Sequence, residues 1–174
     1  MNDFVVADPQ KCIGCRTCEI ACVLAHGGEN ALGRLTADTF APRLQVVKTA
    51  KVSMPVQCRH CEDAPCAKAC TARAIVQSGN SVQVVAGKCV GCKSCLLACP
   101  YGAIGLNVTG TDPNNSKVEV LKCDLCEKHH SGPACIKVCP MQALHRVEGA
   151  KMAGRLQNKR RRAALGAMNK RGAN

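Results

Sequence analysis

The sequence predicts an α+β fold in which short strands and short helices form two nested units, followed by a basic, helical C-terminal tail. Three observations lead there. All sixteen cysteines of the 174-residue chain fall into four quartets. The first is Cys12, Cys15, Cys18 and Cys22, and the second is Cys58, Cys61, Cys66 and Cys70. The third is Cys89, Cys92, Cys95 and Cys99, and the fourth is Cys123, Cys126, Cys135 and Cys139. Aromatic side chains are limited to Phe4, Phe40 and Tyr101, so an apolar core alone offers little to hold a chain of this length. Between quartets lie short apolar runs broken by glycine and proline, which read as strands and turns.

The elements follow in order. Residues 4–7 read as a strand entering the first cysteine loop, and residues 16–24 as a helix carrying Cys18 and Cys22. Residues 26–42, with Gly27, Gly28, Gly33 and Pro42, form an excursion loop. Leu44, Val46 and Val47 mark a strand over 43–48. Helices are expected over 65–70 and 93–99. Between them Ala74-Ile75-Val76, the turn Ser78-Gly79-Asn80 and Val82-Gln83-Val84-Val85 make a β-hairpin. Residues 104–108 read as a strand, 109–116 as a polar loop, 118–121 as a strand, 133–139 as a helix and 143–147 as a last strand. Strand–helix–strand halves of βαβ type thus recur. Pro100 and Pro140 follow the last cysteine of quartets three and four and stop those helices. Val23 and Thr71 take the matching places after quartets one and two.

Each quartet opens with C-x2-C and closes with C-x3-C. Quartets one and three read C-x2-C-x2-C-x3-C throughout, the run that holds [4Fe–4S] clusters in bacterial ferredoxins. A disulfide framework suits a secreted chain, whereas Met1-Asn2-Asp3-Phe4 opens with neither a basic segment nor a long apolar one. Structural zinc takes four ligands, commonly from two well-separated knuckles. Three cysteines within seven residues suit a cubane whose irons each need a thiolate. Four quartets therefore imply four [4Fe–4S] clusters. Gly14 and Gly91 sit inside the loops of quartets one and three, where positive φ lets backbone amides turn toward sulfur.

In two-cluster ferredoxins the fourth cysteine of one run ligates the other cluster, so quartets must pair. Quartets two and three are separated by 18 residues, 71–88, enough for one hairpin. That gap favours a ferredoxin-like unit from quartets two and three, at 58–99, nested in one from quartets one and four, at 1–57 and 100–150. The basic tail covers 151–174. On this reading Cys12, Cys15, Cys18 and Cys139 hold one cluster, and Cys22, Cys123, Cys126 and Cys135 its neighbour. Cys58, Cys61, Cys66 and Cys99 hold a third, and Cys70, Cys89, Cys92 and Cys95 the fourth. The rival scheme pairs one with two and three with four, across gaps of 35 and 23 residues.

The formal charge of +12 counts cysteines as neutral. Each cluster with four thiolates carries roughly −2 when oxidised, about −8 in all, so much of the excess is offset. Residues 151–174 hold eight basic side chains (Lys151, Arg155, Lys159, Arg160, Arg161, Arg162, Lys170, Arg171) and no acid. Alanines there favour helix, and the tail is expected to mediate docking to a partner subunit or self-association. It contains no aromatic residue, which argues against nucleic acid. His26, His60, His129, His130 and His145 are expected to lie at the surface or beside the clusters, with His60 placed to tune a potential. No run approaches the roughly 18 apolar residues of a membrane span, no catalytic constellation stands out, and a reducing cytoplasmic location is expected.

The motifs K-C-I-G-C-R-T-C-E-I-A-C at 11–22, C-R-H-C-E-D-A-P-C at 58–66, C-V-G-C-K-S-C-L-L-A-C-P-Y-G-A-I at 89–104, and K-C-D-L-C at 122–126 with G-P-A-C at 132–135 carry a resemblance. Over about residues 1–150 the chain resembles the four-cluster ferredoxin-type electron-transfer subunits of molybdopterin oxidoreductases. It is most similar to the small HydN/HycB-type proteins linked to formate dehydrogenase and formate hydrogenlyase. That resemblance implies nested pairing and a non-catalytic subunit relaying electrons between a molybdenum or tungsten formate dehydrogenase-type subunit and a hydrogenase or other acceptor. Partnership with carbon monoxide dehydrogenase or another molybdoenzyme, and in another class an iron–sulfur scaffold or redox sensor, are the alternatives. Thr71 stands where the family commonly has proline, so an altered turn is expected there. Iron analysis of the reconstituted protein is expected to give about sixteen irons per chain, four for each cubane; about eight or fewer would reject four clusters.

Overall fold

The computed structural model describes all residues except 29, 110–116, 130 and 172–174. The polar loop expected at 109–116 falls almost wholly outside the described residues, and so does His130. Among the described residues the strands form four two-stranded antiparallel sheets. Strand β1 (Phe4–Ala7) leads into helix α1 (Thr17–His26), then β2 (Leu44–Lys48), β3 (Ser53–Gln57) and α2 (Pro65–Lys68). Next come β4 (Ile75–Ser78), β5 (Ser81–Val84), α3 (Ser94–Ala98), β6 (Gly105–Thr109), β7 (Lys117–Leu121), α4 (Ala134–Lys137), β8 (Leu144–Val147) and α5 (Gly149–Arg171).

Three sheets are hairpins of sequence neighbours: β2 with β3, β4 with β5, and β6 with β7. The fourth joins the ends of the body, with Phe4 opposite Val147 and Ala7 opposite Leu144. The recurring strand–helix–strand order therefore produces no parallel crossover. Strand β3 was not expected, because Pro55 interrupts its apolar pattern. Proline cannot donate to a ladder, and in a two-stranded sheet it still has an open edge to face. The 3-10 turn at Ala31–Arg34 was likewise hidden inside the glycine-bearing loop.

Two small apolar cores result. Val5, Ala7, Leu44, Val46, Leu125 and Leu144 pack with Cys18, Cys22 and Cys135. Ala64, Ile75, Val82, Ile104 and Val120 pack with Cys66 and Cys95. Helix α1 packs against α4 and α2 against α3, so cysteines supply much of what each core contains. Ile104, Leu106 and Val120 carry the second core beyond residue 99 into the β6–β7 hairpin.

Residues 2 and 3 lace the two cores together. The Asn2 side-chain amide donates to the His60 carbonyl at 2.8 Å and accepts from Gln77. The Asp3 N–H donates to the Asn80 carbonyl at 2.7 Å. The Asp3 carboxylate then accepts from the Gly149 N–H and from Arg146, each at 2.8 Å. That contact caps α5 from the far end of the sequence and satisfies one of its free amides. Only glycine fits at 149, because a Cβ there would lie 1.7 Å from the Met1 carbonyl oxygen. Beyond this anchor α5 is exposed from Ala153 to Leu165. Among the described residues no helix is long and apolar enough to cross a membrane.

Burial would raise the Asp3 carboxyl, but the Gly149 amide and Arg146 outweigh it and hold the group below its usual 3.8. A depressed folded value means the stabilisation is present above the unfolded value and is lost as the pH falls through the folded one. Asp3→Ala is expected to cost about 1 kcal/mol at neutral pH and to reduce the helical circular dichroism signal. The gap from wild type should close as the pH is taken below 3.8.

Candidate metal centres

Each cysteine loop is built on a left-handed residue just before its second cysteine. Gly14 (φ 67°), His60 (47°), Gly91 (71°) and Leu125 (61°) occupy that place in the four quartets. Glycine takes this conformation freely, whereas histidine and leucine take it at a cost. The turn aims backbone amides back at sulfur. The His60 N–H donates to Cys58 Sγ at 3.3 Å and the Gly91 N–H to Cys89 Sγ at 3.4 Å. Sequence reading found the two glycines but not the other two positions, although the C-x2-C register alone aligns all four.

A second turn follows the last cysteine of quartets two, three and four. Arg73 (49°), Gly102 (58°) and Gln142 (48°) are left-handed there. The next amide returns to the cysteine: Ala74 to Cys70 at 3.2 Å, Ala103 to Cys99 at 3.4 Å and Ala143 to Cys139 at 3.3 Å. Thr71 keeps the same turn as Pro100 and Pro140, so the altered turn expected at Thr71 does not occur. After quartet one the helix runs on to His26. Cys22 Sγ there receives the Arg43 N–H instead, at 3.3 Å from the residue just before β2, 21 positions away.

The quartets do not stay separate. Cys139 lines one cavity with Cys12, Cys15 and Cys18, and Cys70 lines another with Cys89, Cys92 and Cys95. Burial pushes up the Cys61 and Cys66 thiols, and the Cys58 and Cys99 sulfurs beside them add to it. Burial followed by Cys22, Cys126 and Cys18 pushes Cys135 up to about 12. Cys123 is also raised by burial, with Cys135, Cys58 and Cys22 as its sulfur neighbours. Cys18 rises to about 11 through burial, then Glu19 and Cys15. Thiols this reluctant to ionise release protons when metal binds, which couples loading to folding. Groups of soft sulfur donors with amides aimed at them match thiolate-held clusters, and each group already stands in a packed shell.

Two further polar groups are drawn inward, one in the loop of quartet two and one at the end of α1. His60 is 1% exposed; burial and then Lys122 push it down to about 3, so the ring is neutral. Its Nδ1 accepts from the Val82 N–H at 3.0 Å, leaving a buried Nε2–H without a partner among the described residues. A donor of this kind suits the sulfide face of a cluster. His26 has a different setting. Its Nε2 lies 3.0 Å from Asp124, which also accepts from Arg43 at 2.5 Å. Burial disfavours the His26 charge, but the Asp124 contact outweighs it and raises the ring to about 10. Neither Arg43 nor Asp124 was singled out from the sequence. Both lie on segments far from His26, and only the pairing of α1 with quartet four brings them together. His129 and His145 are exposed.

Residues 49–149 match the 4Fe-4S dicluster domain family. The chain belongs to that family. Electron transport protein HydN of Escherichia coli is 44% identical over 173 residues, covering 95% of this chain and 99% of that protein. Putative electron transport protein YsaA of Escherichia coli is 41% identical, covering 87% and 94% respectively. Formate hydrogenlyase subunit 2 of Escherichia coli is 38% identical, covering 92% and 89%. With sixteen cysteines this dicluster-family protein carries four [4Fe–4S] clusters, and its architecture is ferredoxin-like. The clusters bring one-electron redox chemistry; the polypeptide contributes thiolates, amide donors and a shell that excludes water.

A Cβ at Gly14 would stand 2.5 Å from Lys48 Cε and 3.1 Å from Ser53 Cβ, on a backbone with φ +67°. Gly14→Val is therefore expected to impair loading at the first loop alone. Iron content should fall to about three quarters of wild type, the share of three clusters in four, as measured by iron and sulfide assay.

Proposed function

We propose that this chain is a one-electron relay with no substrate chemistry of its own, linking a catalytic redox subunit to an acceptor through four clusters in series. The ligand sets follow the nested scheme. Cys12, Cys15, Cys18 and Cys139 hold the first cluster and Cys22, Cys123, Cys126 and Cys135 the second. Cys58, Cys61, Cys66 and Cys99 hold the third, and Cys70, Cys89, Cys92 and Cys95 the fourth. The outer unit is residues 1–57 with 100–150, and the inner unit is 58–99 with the β6–β7 hairpin packed on it.

One observation carries the relay reading. Of the sixteen cysteines only Cys15 and Cys92 are exposed, and each belongs to an end group of the series. Ile13 and Met141 flank the first cavity and Val90 the last, all of them exposed. Between these ends the Cys58 sulfur lies close enough to Cys123 to add to the rise of its buried thiol. An electron would thus enter at one surface, cross the interior and leave at the other. Those apolar rims are the natural docking points for partners.

The partners best supported are a molybdenum or tungsten formate dehydrogenase-type subunit and a hydrogenase or other acceptor. Support comes from likeness to HydN and to formate hydrogenlyase subunit 2. A cytoplasmic location fits the many thiolates. The α5 tail, basic along the Lys151, Arg155, Lys159 and Arg162 stripe, supplies a contact surface outside the cluster body.

The test is reconstitution. The isolated holoprotein is expected to leave formate untouched, and to be reduced rapidly once a formate dehydrogenase subunit and formate are added. It should keep its iron through repeated reduction and reoxidation. Formate oxidation by the chain alone, or transfer of iron to an apo-ferredoxin during cycling, would reject the relay in favour of a catalyst or a cluster donor.

A further inference from the structure

Lys122 is 2% exposed, a rare state for an ammonium group without a carboxylate beside it. Among the described residues none of the ion pairs involves it. Its Nζ donates to the Val82 carbonyl and, at 3.0 Å, to the Cys123 carbonyl. Val82 also donates its N–H to His60 Nδ1. One residue of β5 thus joins a loop of quartet two to the entrance of quartet four. Both carbonyls can only accept, so the nitrogen is the donor in each contact.

The charge stands where the two cysteine sets meet. It opposes the rise of the Cys61 and Cys66 thiols, and Lys122 precedes Cys123, whose sulfur is itself influenced by Cys58 and Cys22. No carboxylate pairs with this cation directly, although Asp124 and Asp3 act on the same His60 ring, and thiolate-held clusters would place further negative charge beside it. We propose that Lys122 is a fixed positive charge at the junction of the nested units, raising the reduction potentials of the two clusters flanking it. These are the clusters assigned to Cys58, Cys61, Cys66 and Cys99 and to Cys22, Cys123, Cys126 and Cys135, so the inference rests on the four-cluster reading. Reduction adds one negative charge to a cluster, and a desolvated cation close by favours it with little screening by salt. Lys122 thereby keeps the middle of the series from becoming an uphill barrier. It acts as a tuning residue, touching carbonyls rather than substrate.

The experiment is a potentiometric titration of the full-length holoprotein followed by electron paramagnetic resonance. In Lys122→Met, one or both flanking clusters should become about tenfold harder to reduce at a given potential, about 59 mV more negative for one electron. The shift should persist at high salt, with the iron content of wild type. Lys122→Arg, which keeps the charge, should titrate with wild type. Lys122→Met titrating as wild type with four clusters present would overturn the proposal, as would an equal shift in Lys122→Arg, which would assign the effect to shape. Should Lys122→Met assemble poorly, Lys122→Gln gives the same comparison with a side chain that still hydrogen-bonds. Fewer than four clusters in the wild-type protein would instead reject the relay reading itself.

Discussion

The constraint from which the rest of this structure follows is that sulfurs distant in sequence must converge on one point. Cys139 lines the same cavity as Cys12, Cys15 and Cys18, so the two ends of the body have to meet. They meet as the β1–β8 sheet and as the packing of α1 on α4. Between them the chain must leave and come back, and it does so as a second, smaller unit closed by its own pairing of α2 on α3. Hairpins serve that plan well, because each returns the backbone to where it started over few residues. The left-handed residues before each second cysteine complete it, and at His60 and Gly91 they turn amides toward sulfur that would otherwise be unpaired.

Energetically the interior combines small aliphatic side chains with cysteine sulfur. The two apolar cores are small, and cysteines are counted among their members. Buried thiols with raised pKa values favour the protonated form until metal displaces the protons. Folded stability and cluster loading are therefore one equilibrium. The polar groups drawn inside answer to the charge that loading brings. Lys122 faces it from the junction, while Arg43 and His26 bracket Asp124 beside Cys22.

The cysteine register made most of this legible in the sequence. Spacing located the four loops, and the turn residues Ser78-Gly79-Asn80 between apolar runs located the hairpin, because each is a local feature. What escaped is long-range or conformationally uncommon. Strand β3 carries a proline that its open sheet edge tolerates. His60 and Leu125 adopt a backbone that composition assigns to glycine. Gly149 owes its identity to the Met1 carbonyl, 148 residues away in sequence and invisible to any window. The partnership of Lys122 with Val82 depends on how two units dock, which no periodicity encodes.

The pairing of β1 with β8 also has a consequence for how the protein is made. Synthesis delivers Cys12, Cys15 and Cys18 first, yet the sulfur that shares their cavity emerges only after residue 138. The inner group has all its sulfurs once residue 99 has appeared. A growing chain thus carries an open, exposed trio of thiols for most of its time on the ribosome, vulnerable to oxidation and to stray metal. Only a chain translated past residue 139 can close that cavity. The earliest loop to be made is thus among the last to be closed.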